Sequence, residues 1–129
     1  MATEEAERPR ALVVNDDHAH SYALARILSN AGFEVRQAYG GRSALRIATP
    51  KLDVILMDVH MPDMDGFEVC KRLKSRPLLK QIPVVFVSST VDVEEGRVFA
   101  KTVGGEDMYK APVEPRSFIE ALKKLIRRR

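Results

Sequence analysis

The chain has no tryptophan and a single cysteine, Cys70. One thiol cannot close an internal disulfide, so a disulfide-stapled scaffold is excluded. Cys70 stands beside Val69 and near Leu73 in a helical pattern, the setting of a small core residue rather than of a redox centre. No stretch reaches the roughly 18 consecutive apolar residues of a membrane span. The opening MATEEAERPR is too charged for a secretory signal, so the expected compartment is the cytoplasm, without a membrane partner. Aromatic residues make up 6% of the chain and do not interleave with basic ones, and the net charge is only +3. Part of that charge is the run Arg127-Arg128-Arg129, which ends a helix or begins a linker. With no recognition-helix pattern beside it, no direct nucleic-acid contact is expected. Internal repeats and low-complexity segments are also lacking.

What is present suits one domain. At 129 residues, 45% of them hydrophobic and 30% charged, the chain can bury a core without staples. Residues 1–9 are polar and read as a disordered tail. Residues 10–126 carry the ordered pattern, and 127–129 read as a basic tail or linker start. Ala11–Val14 is a short apolar run, as expected of a strand buried on both faces. A helix follows with Ala23, Leu24, Ile27, Leu28 and Ala31 on one stripe, stopped by Gly32. Phe33–Arg36 reads as a weaker strand, and Gly40-Gly41 opens a short helix that ends before Pro50. Val54–Met57, the most hydrophobic run, ends on Asp58. A turn-rich loop then leads into a helix through Phe67, Cys70 and Leu73. Pro83–Val87 is a fourth buried strand, ending on Ser88-Ser89-Thr90. Residues 92–103 make a poor helix with Gly96 inside, 107–110 a fifth short strand, and Phe118, Ile119, Leu122, Leu125 and Ile126 a cleanly spaced last helix. Strands alternating with helices imply an α/β fold: a five-stranded parallel sheet with helices on both faces, a three-layer sandwich. The flavodoxin-like order 2-1-3-4-5 is a common solution under right-handed crossovers.

In such sheets ligands bind outside the carboxyl ends of the strands. Three strand ends bring polar groups there: Asn15-Asp16-Asp17, Asp58 and Ser88-Ser89-Thr90. Clustered carboxylates repel one another unless a cation or proton neutralises them. Oxygen ligands with open positions suit Mg²⁺, which favours phosphate as a further ligand. A carboxylate beside the metal can attack phosphorus to give an acyl phosphate, with a hydroxyl on a phosphoryl oxygen and a cation against developing charge. Singly, each residue reads as a turn former or helix cap; together they read as a phosphoryl-transfer site.

The stretch Met57-Asp58-Val59-His60-Met61-Pro62-Asp63-Met64-Asp65-Gly66 resembles the phosphoacceptor loop of response-regulator receiver domains of two-component signalling. The resemblance covers about residues 10–126. It implies that Asp58 accepts a phosphoryl group from a histidine kinase or phosphotransfer protein, with Mg²⁺ as cofactor. Asp16 matches the direct metal-ligand aspartate, the backbone carbonyl of His60 the third protein ligand beside Asp58, and Ser88 the switch hydroxyl. A downstream effector protein or output domain would read the switch, and a homodimer stays open. Three positions depart from the family pattern. Asn15 stands where a first acidic residue is usual and would reach the metal through water; a one-residue slip would make Asp16 and Asp17 the pair instead. The usual Lys-Pro after the fifth strand reads Lys110-Ala111-Pro112 here. Side-chain alternation aims Lys110 away from Asp58 unless a bulge redirects it, so either Lys110 is recovered by distortion or the site lacks its lysine. The aromatic switch position on the fifth strand holds Met108, with Tyr109 facing the other way.

His18 and His20, two apart, fall on different helical faces and read as surface or capping residues. His60, beside Asp58, is a modulator of acyl-phosphate lifetime by its position. The leading expectation is a phosphorylation-controlled interaction module, not an enzyme with a diffusible substrate. A degenerate receiver that binds partners without phosphorylation is the alternative. A haloacid-dehalogenase-type phosphatase would need a second aspartate where His60 stands. A flavin carrier would need a hydroxyl-rich loop after the first strand, which is absent.

Overall fold

The computed structural model describes residues 8–128. Its elements in chain order are β1 (Arg10–Val14), α1 (His18–Asn30), β2 (Glu34–Ala38), α2 (Gly41–Ile47), β3 (Val54–Met57), α3 (Gly66–Lys74), β4 (Val84–Ser88), α4 (Val93–Thr102), β5 (Asp107–Lys110) and α5 (Pro115–Arg127). The strands form one sheet of order β2-β1-β3-β4-β5, parallel throughout. This is the flavodoxin-like arrangement expected from the alternating pattern.

Every residue of β3 and β4 is buried, because helices cover both faces. Alternate side chains feed two cores. Ile55, Met57, Val84 and Phe86 pack with Ala44, Val69, Leu73 and Ala100 beneath α2, α3 and α4. Val54, Leu56, Val85 and Val87 pack with Leu28, Phe118 and Leu122 beneath α1 and α5. Each such fully buried aliphatic side chain stabilises the fold by about 2 kcal/mol relative to exposure.

Three local details refine or correct the expected elements. Gly32 adopts φ +93° and ends α1: its N–H bonds the Ser29 carbonyl, and the Phe33 N–H bonds the Leu28 carbonyl. That double closure satisfies the last helical carbonyls. It turns Phe33 into the core, so β2 begins one residue later. The buried face of α1 is Ser21, Ala25 and Leu28, rotated from the expected stripe. Ser21 escapes an apolar reading because its hydroxyl donates to Gln37 Oε1 at 2.7 Å. The third detail is Gly96, buried inside α4. A Cβ there would lie 2.8 Å from Met108 Cε, so the glycine lets α4 close on β5.

Of the expected tail, residues 1–7 lie outside the described residues. The Pro9 carbonyl already accepts from the Glu34 N–H at 2.8 Å. At the other end Arg127 closes α5 and Arg128 caps it, while Arg129 lies outside the described residues. Among the described residues, no helix is long and apolar enough to cross a membrane.

Candidate functional site

The parallel ladder holds the phosphoacceptor candidate at the centre of the sheet's carboxyl edge. The Asp58 N–H donates to the Val14 carbonyl at 2.9 Å, and the Asn15 N–H to the Ala38 carbonyl at 3.0 Å. The ends of β1 and β3 are therefore tied in register. A cleft of about 450 Å³ opens above them, lined by Asn15, Asp16, Asp17, His20, Asp58, His60, Ser89 and Thr90 at its polar end. Leu24, Ile27, Val87, Ala111, Pro112 and Val113 form its apolar wall. This explains the rotation of α1: Leu24 and Ile27 face the cleft, with Leu28 turned into the core.

Within the acidic turn the carboxylates divide their work. Asp17 caps α1, its Oδ1 accepting from the His20 N–H at 3.0 Å, and Asn15 Oδ1 accepts from the Asp17 N–H at 2.8 Å. The His20 N–H holds the Asp17 carboxyl below the usual carboxylate range. Asp16, beside it, contributes its charge to Asp58. Burial pushes the Asp58 carboxyl up, and the negative Asp16 adds to that rise. The Val59 N–H and the charges of His60 and His20 oppose it. A half-buried carboxylate held against a second one is the situation a divalent cation relieves.

Among the described residues, no three His, Cys, Asp or Glu side chains cluster as a complete side-chain metal cage. Magnesium does not require one: one or two carboxylates, a carbonyl, waters and phosphate suffice. The oxygens of Asp16, Asp58 and the His60 carbonyl fit that donor chemistry.

The loop after Asp58 is pinned at both ends. The Gly66 N–H donates to the Val59 carbonyl at 2.7 Å, and Asp65 caps α3 by accepting from the Glu68 N–H at 2.9 Å. Asp63 reaches across to α2, accepting from the Gly41 and Arg42 N–H groups at 3.0 Å each. Those two amides hold the Asp63 carboxyl below its ordinary range, Arg42 most. At Gly66 a Cβ would collide with the Asp58 carbonyl oxygen and lie 2.8 Å from Met57 Cγ. Sequence reasoning placed Asp63 and Gly66 in the turn-rich phosphoacceptor-like loop without assigning either a contact.

Ser88 is 1% exposed. Its Oγ accepts from the Thr90 N–H at 3.2 Å and the Val91 N–H at 3.3 Å, so here the hydroxyl holds its own loop, and Ser89 and Thr90 form the cleft wall. On β5 the register runs without a bulge, Val85 to Asp107 through Ser88 to Lys110. Ala111 follows with its N–H on the Ser88 carbonyl at 2.9 Å. Lys110 is exposed and is not among the cleft residues, whereas Ala111 is. The distortion that would bring Lys110 to Asp58 is absent, because an unbroken ladder leaves alternate side chains on opposite faces. Ala111 precedes Pro112 across a cis peptide bond. Met108 is buried on the α4 side. Tyr109 packs edge-on to Phe118 with ring centroids 5.0 Å apart, on the opposite face as alternation requires.

The two histidines of α1 separate. His18 stacks on Tyr39, centroids 4.0 Å apart and 9° from parallel, a surface contact. His20 is also exposed, as a surface role requires, and in addition lines the cleft. The helical offset of His20 from Leu24 and Ile27 is the signal that could have found it.

Solved structures share this architecture. A CheY-like response regulator receiver domain protein of Methanospirillum hungatei superposes with TM-score 0.82 at 25% identity, covering 95% of this chain and 96% of its own. The chemotaxis protein CheY4 of Vibrio cholerae does so with TM-score 0.80 at 29% identity, covering 92% and 98%. Among curated proteins, the response regulator PleD of Caulobacter vibrioides is 36% identical over 119 residues, 92% of this chain and 26% of its own length. The alkaline phosphatase synthesis transcriptional regulatory protein PhoP of Bacillus subtilis is 34% identical over 118 residues, 91% of this chain and 48% of its own length. The chain thus spans about a quarter to a half of these curated relatives. Residues 11–123 match the response regulator receiver domain, and with the sheet order and these relatives that match makes the chain a member of the receiver-domain family.

Proposed function

We propose that this receiver domain is a phosphorylation-controlled interaction module with Asp58 as phosphoacceptor. The observation that carries this reading is the half-buried Asp58 carboxylate, raised in pKa by burial and by Asp16, in the lining of the cleft. One Asp58 carboxylate oxygen attacks phosphorus, and a new O–P bond forms as the donor's P–N bond breaks. The electron pair leaves with the donor imidazole, which takes up a proton. The donor is a histidine kinase or phosphotransfer protein, and Asp16, Asp58 and the His60 carbonyl would hold Mg²⁺, with Asn15 acting through water. The metal, when bound, supplies positive charge against the carboxylates and the phosphoryl oxygens. Asp17 and Asn15 keep the turn in shape, and Ser88, whose hydroxyl holds the Thr90 and Val91 amides, is the switch hydroxyl.

The output face is α4, β5 and α5, where Val98 and Phe99 are exposed; an effector protein or an output domain would read it. The setting is cytoplasmic. Intact mass after incubation with Mg²⁺ and acetyl phosphate tests the reading. A phosphoryl gain in the native chain, absent in Asp58→Asn, is expected. No gain under saturating donor would refute it and leave the phosphorylation-independent binding module, which the alanine at 111 motivates.

A further inference from the structure

A phosphoryl group on Asp58 brings two negative charges to an edge that already holds Asp16 and Asp17. Donors aimed at the phosphoryl oxygens are needed beyond any metal. Lys110 is turned to the other face, and Ala111 offers only a methyl group to the cleft. Among the described residues lining the cleft, His20 and His60 are the only side chains able to carry positive charge. His20, Leu24 and Ile27 stand at i, i+4 and i+7 on α1 and all line the cleft, so the same periodicity that builds the apolar wall brings His20 to the polar end of it. His20 Nδ1 lies 3.9 Å from Asp17 Oδ2 on the exposed side of the turn, and the ring is close enough to Asp58 for its charge to act there. His60 comes from the loop after Asp58, where its carbonyl is already assigned to the metal.

We infer that His20 is the phosphoryl-binding donor of this site, filling from α1 the role that a lysine at position 111 would fill from β5. A ring N–H of His20 donates to a phosphoryl oxygen, and no bond to His20 is made or broken. This inference rests on Asp58 being the phosphoacceptor. The charged groups that share the cleft with the ring are Asp16 and Asp17 from the β1–α1 turn, with Asp58 and His60 from the end of β3. The cleft-lining residues of the 89–90 and 111–113 segments bring no charge.

The test is the rate of phosphorylation by acetyl phosphate with Mg²⁺, read by intact mass on the whole chain. His20→Ala should slow it by about tenfold or more, less than the roughly 10²–10³-fold effect of removing a water-excluded donor, because His20 is exposed. His20→Lys should keep most of the rate, and Ala111→Lys added to His20→Ala should restore it, which no purely structural role predicts. The cap of α1 uses the His20 backbone N–H and survives each substitution. His18→Ala, on the far face of α1, should leave the rate unchanged. A His20→Ala rate within twofold of native overturns the inference, as does a loss that lysine rescues from neither position. So does a loss confined to His60→Ala or Lys110→Ala. If the native chain takes no phosphoryl group, the Asp58 reading fails and this one with it. If native and His20→Ala are modified alike, only this one fails.

Discussion

Gly66→Ala is the sharpest perturbation available, because it couples stability to the position of Asp58, the proposed phosphoacceptor. Gly66 opens α3 without a positive φ, so backbone conformation is no obstacle to alanine. The obstacle is space. A Cβ would meet the Asp58 carbonyl oxygen far inside contact distance, with Met57 Cγ at 2.8 Å and the Asp58 carbonyl carbon at 3.0 Å. Two of those three neighbours are backbone atoms, which cannot rotate aside. Relief requires α3 and the end of β3 to separate, straining the 2.7 Å bond from the Gly66 N–H to the Val59 carbonyl. Overpacking of this kind costs about 3 kcal/mol, the upper part of the usual range. With a urea slope of about 1.5–2 kcal/mol/M, the unfolding midpoint should fall by about 1.5–2 M. Gly32→Ala is the contrasting control. Its φ is +93°, but nothing lies within 4 Å of the added Cβ. Strain alone should cost about 1 kcal/mol there. Urea unfolding followed by circular dichroism distinguishes the two. Equal midpoint shifts, or a Gly66→Ala shift below 0.5 M, would refute the steric argument. A folded Gly66→Ala chain should also show displaced Asp58 and Val59 amide resonances, which Gly32→Ala should not.

Two further expectations concern pH, with opposite signs. The Asp58 pKa is raised above its ordinary 3.8, so the folded state holds that proton more tightly than the unfolded chain. Its contribution is fully present below that ordinary value and is lost as pH rises through the folded value. Asp58→Asn should therefore be the more stable protein at pH 7, by about 1 kcal/mol as relieved functional sites commonly are. The advantage should shrink toward pH 3.5 in urea midpoints, and an advantage that grows on acidification would contradict the burial argument. Asp63 behaves the other way: its pKa is lowered, by the Arg42 N–H first. Its contribution is present above 3.8 and lost as pH falls through the folded value. Asp63→Ala should cost about 0.5–1 kcal/mol at pH 7, as the loss of an exposed helix cap does. The difference from the native chain should narrow below pH 4, and a pH-independent difference would show that the carboxylate charge is irrelevant.

The sheet was legible because burial on both faces writes a continuous apolar run, as Val54–Met57 does, and because α5 keeps strict helical spacing. The face of α1 was not legible. Ser21 is polar in sequence and buried in fact, its hydroxyl spent on Gln37; an apolar stripe therefore pointed one position away. Alternation along β5 correctly separated Met108 from Tyr109 and turned Lys110 from the cleft, but only the unbroken ladder excluded a bulge. Helical spacing could also say that His18 and His20 diverge without saying which one lines the cleft. That depends on how α1 rolls on the sheet. Asp63 was beyond reach for another reason: its partners at Gly41 and Arg42 lie 22 and 21 residues away, and no local pattern reports a cap supplied across such a distance.

The hydrogen bonding around Asp58 is lopsided, and the lopsidedness says where a new charge would act. On one side Val59 and Met61 are buried, and Asp63, Asp65 and Gly66 lock the loop to α2 and α3. Moving that side means breaking several bonds at once. On the other side Ser89 and Thr90 are exposed, and the Ser88 hydroxyl holds the Thr90 and Val91 amides at 3.2 and 3.3 Å, longer than the bonds that pin the opposite loop. Each such neutral bond is worth about 1 kcal/mol. A phosphoryl oxygen that drew Ser88 away would release both amides together, at the start of the segment leading into α4. Helix α4 can accept that movement, since its buried face is only Gly96 and Ala100, and Val98 and Phe99 already stand in solvent. Displacement should follow the weakly held route from Ser88 into α4 rather than the pinned route into α3.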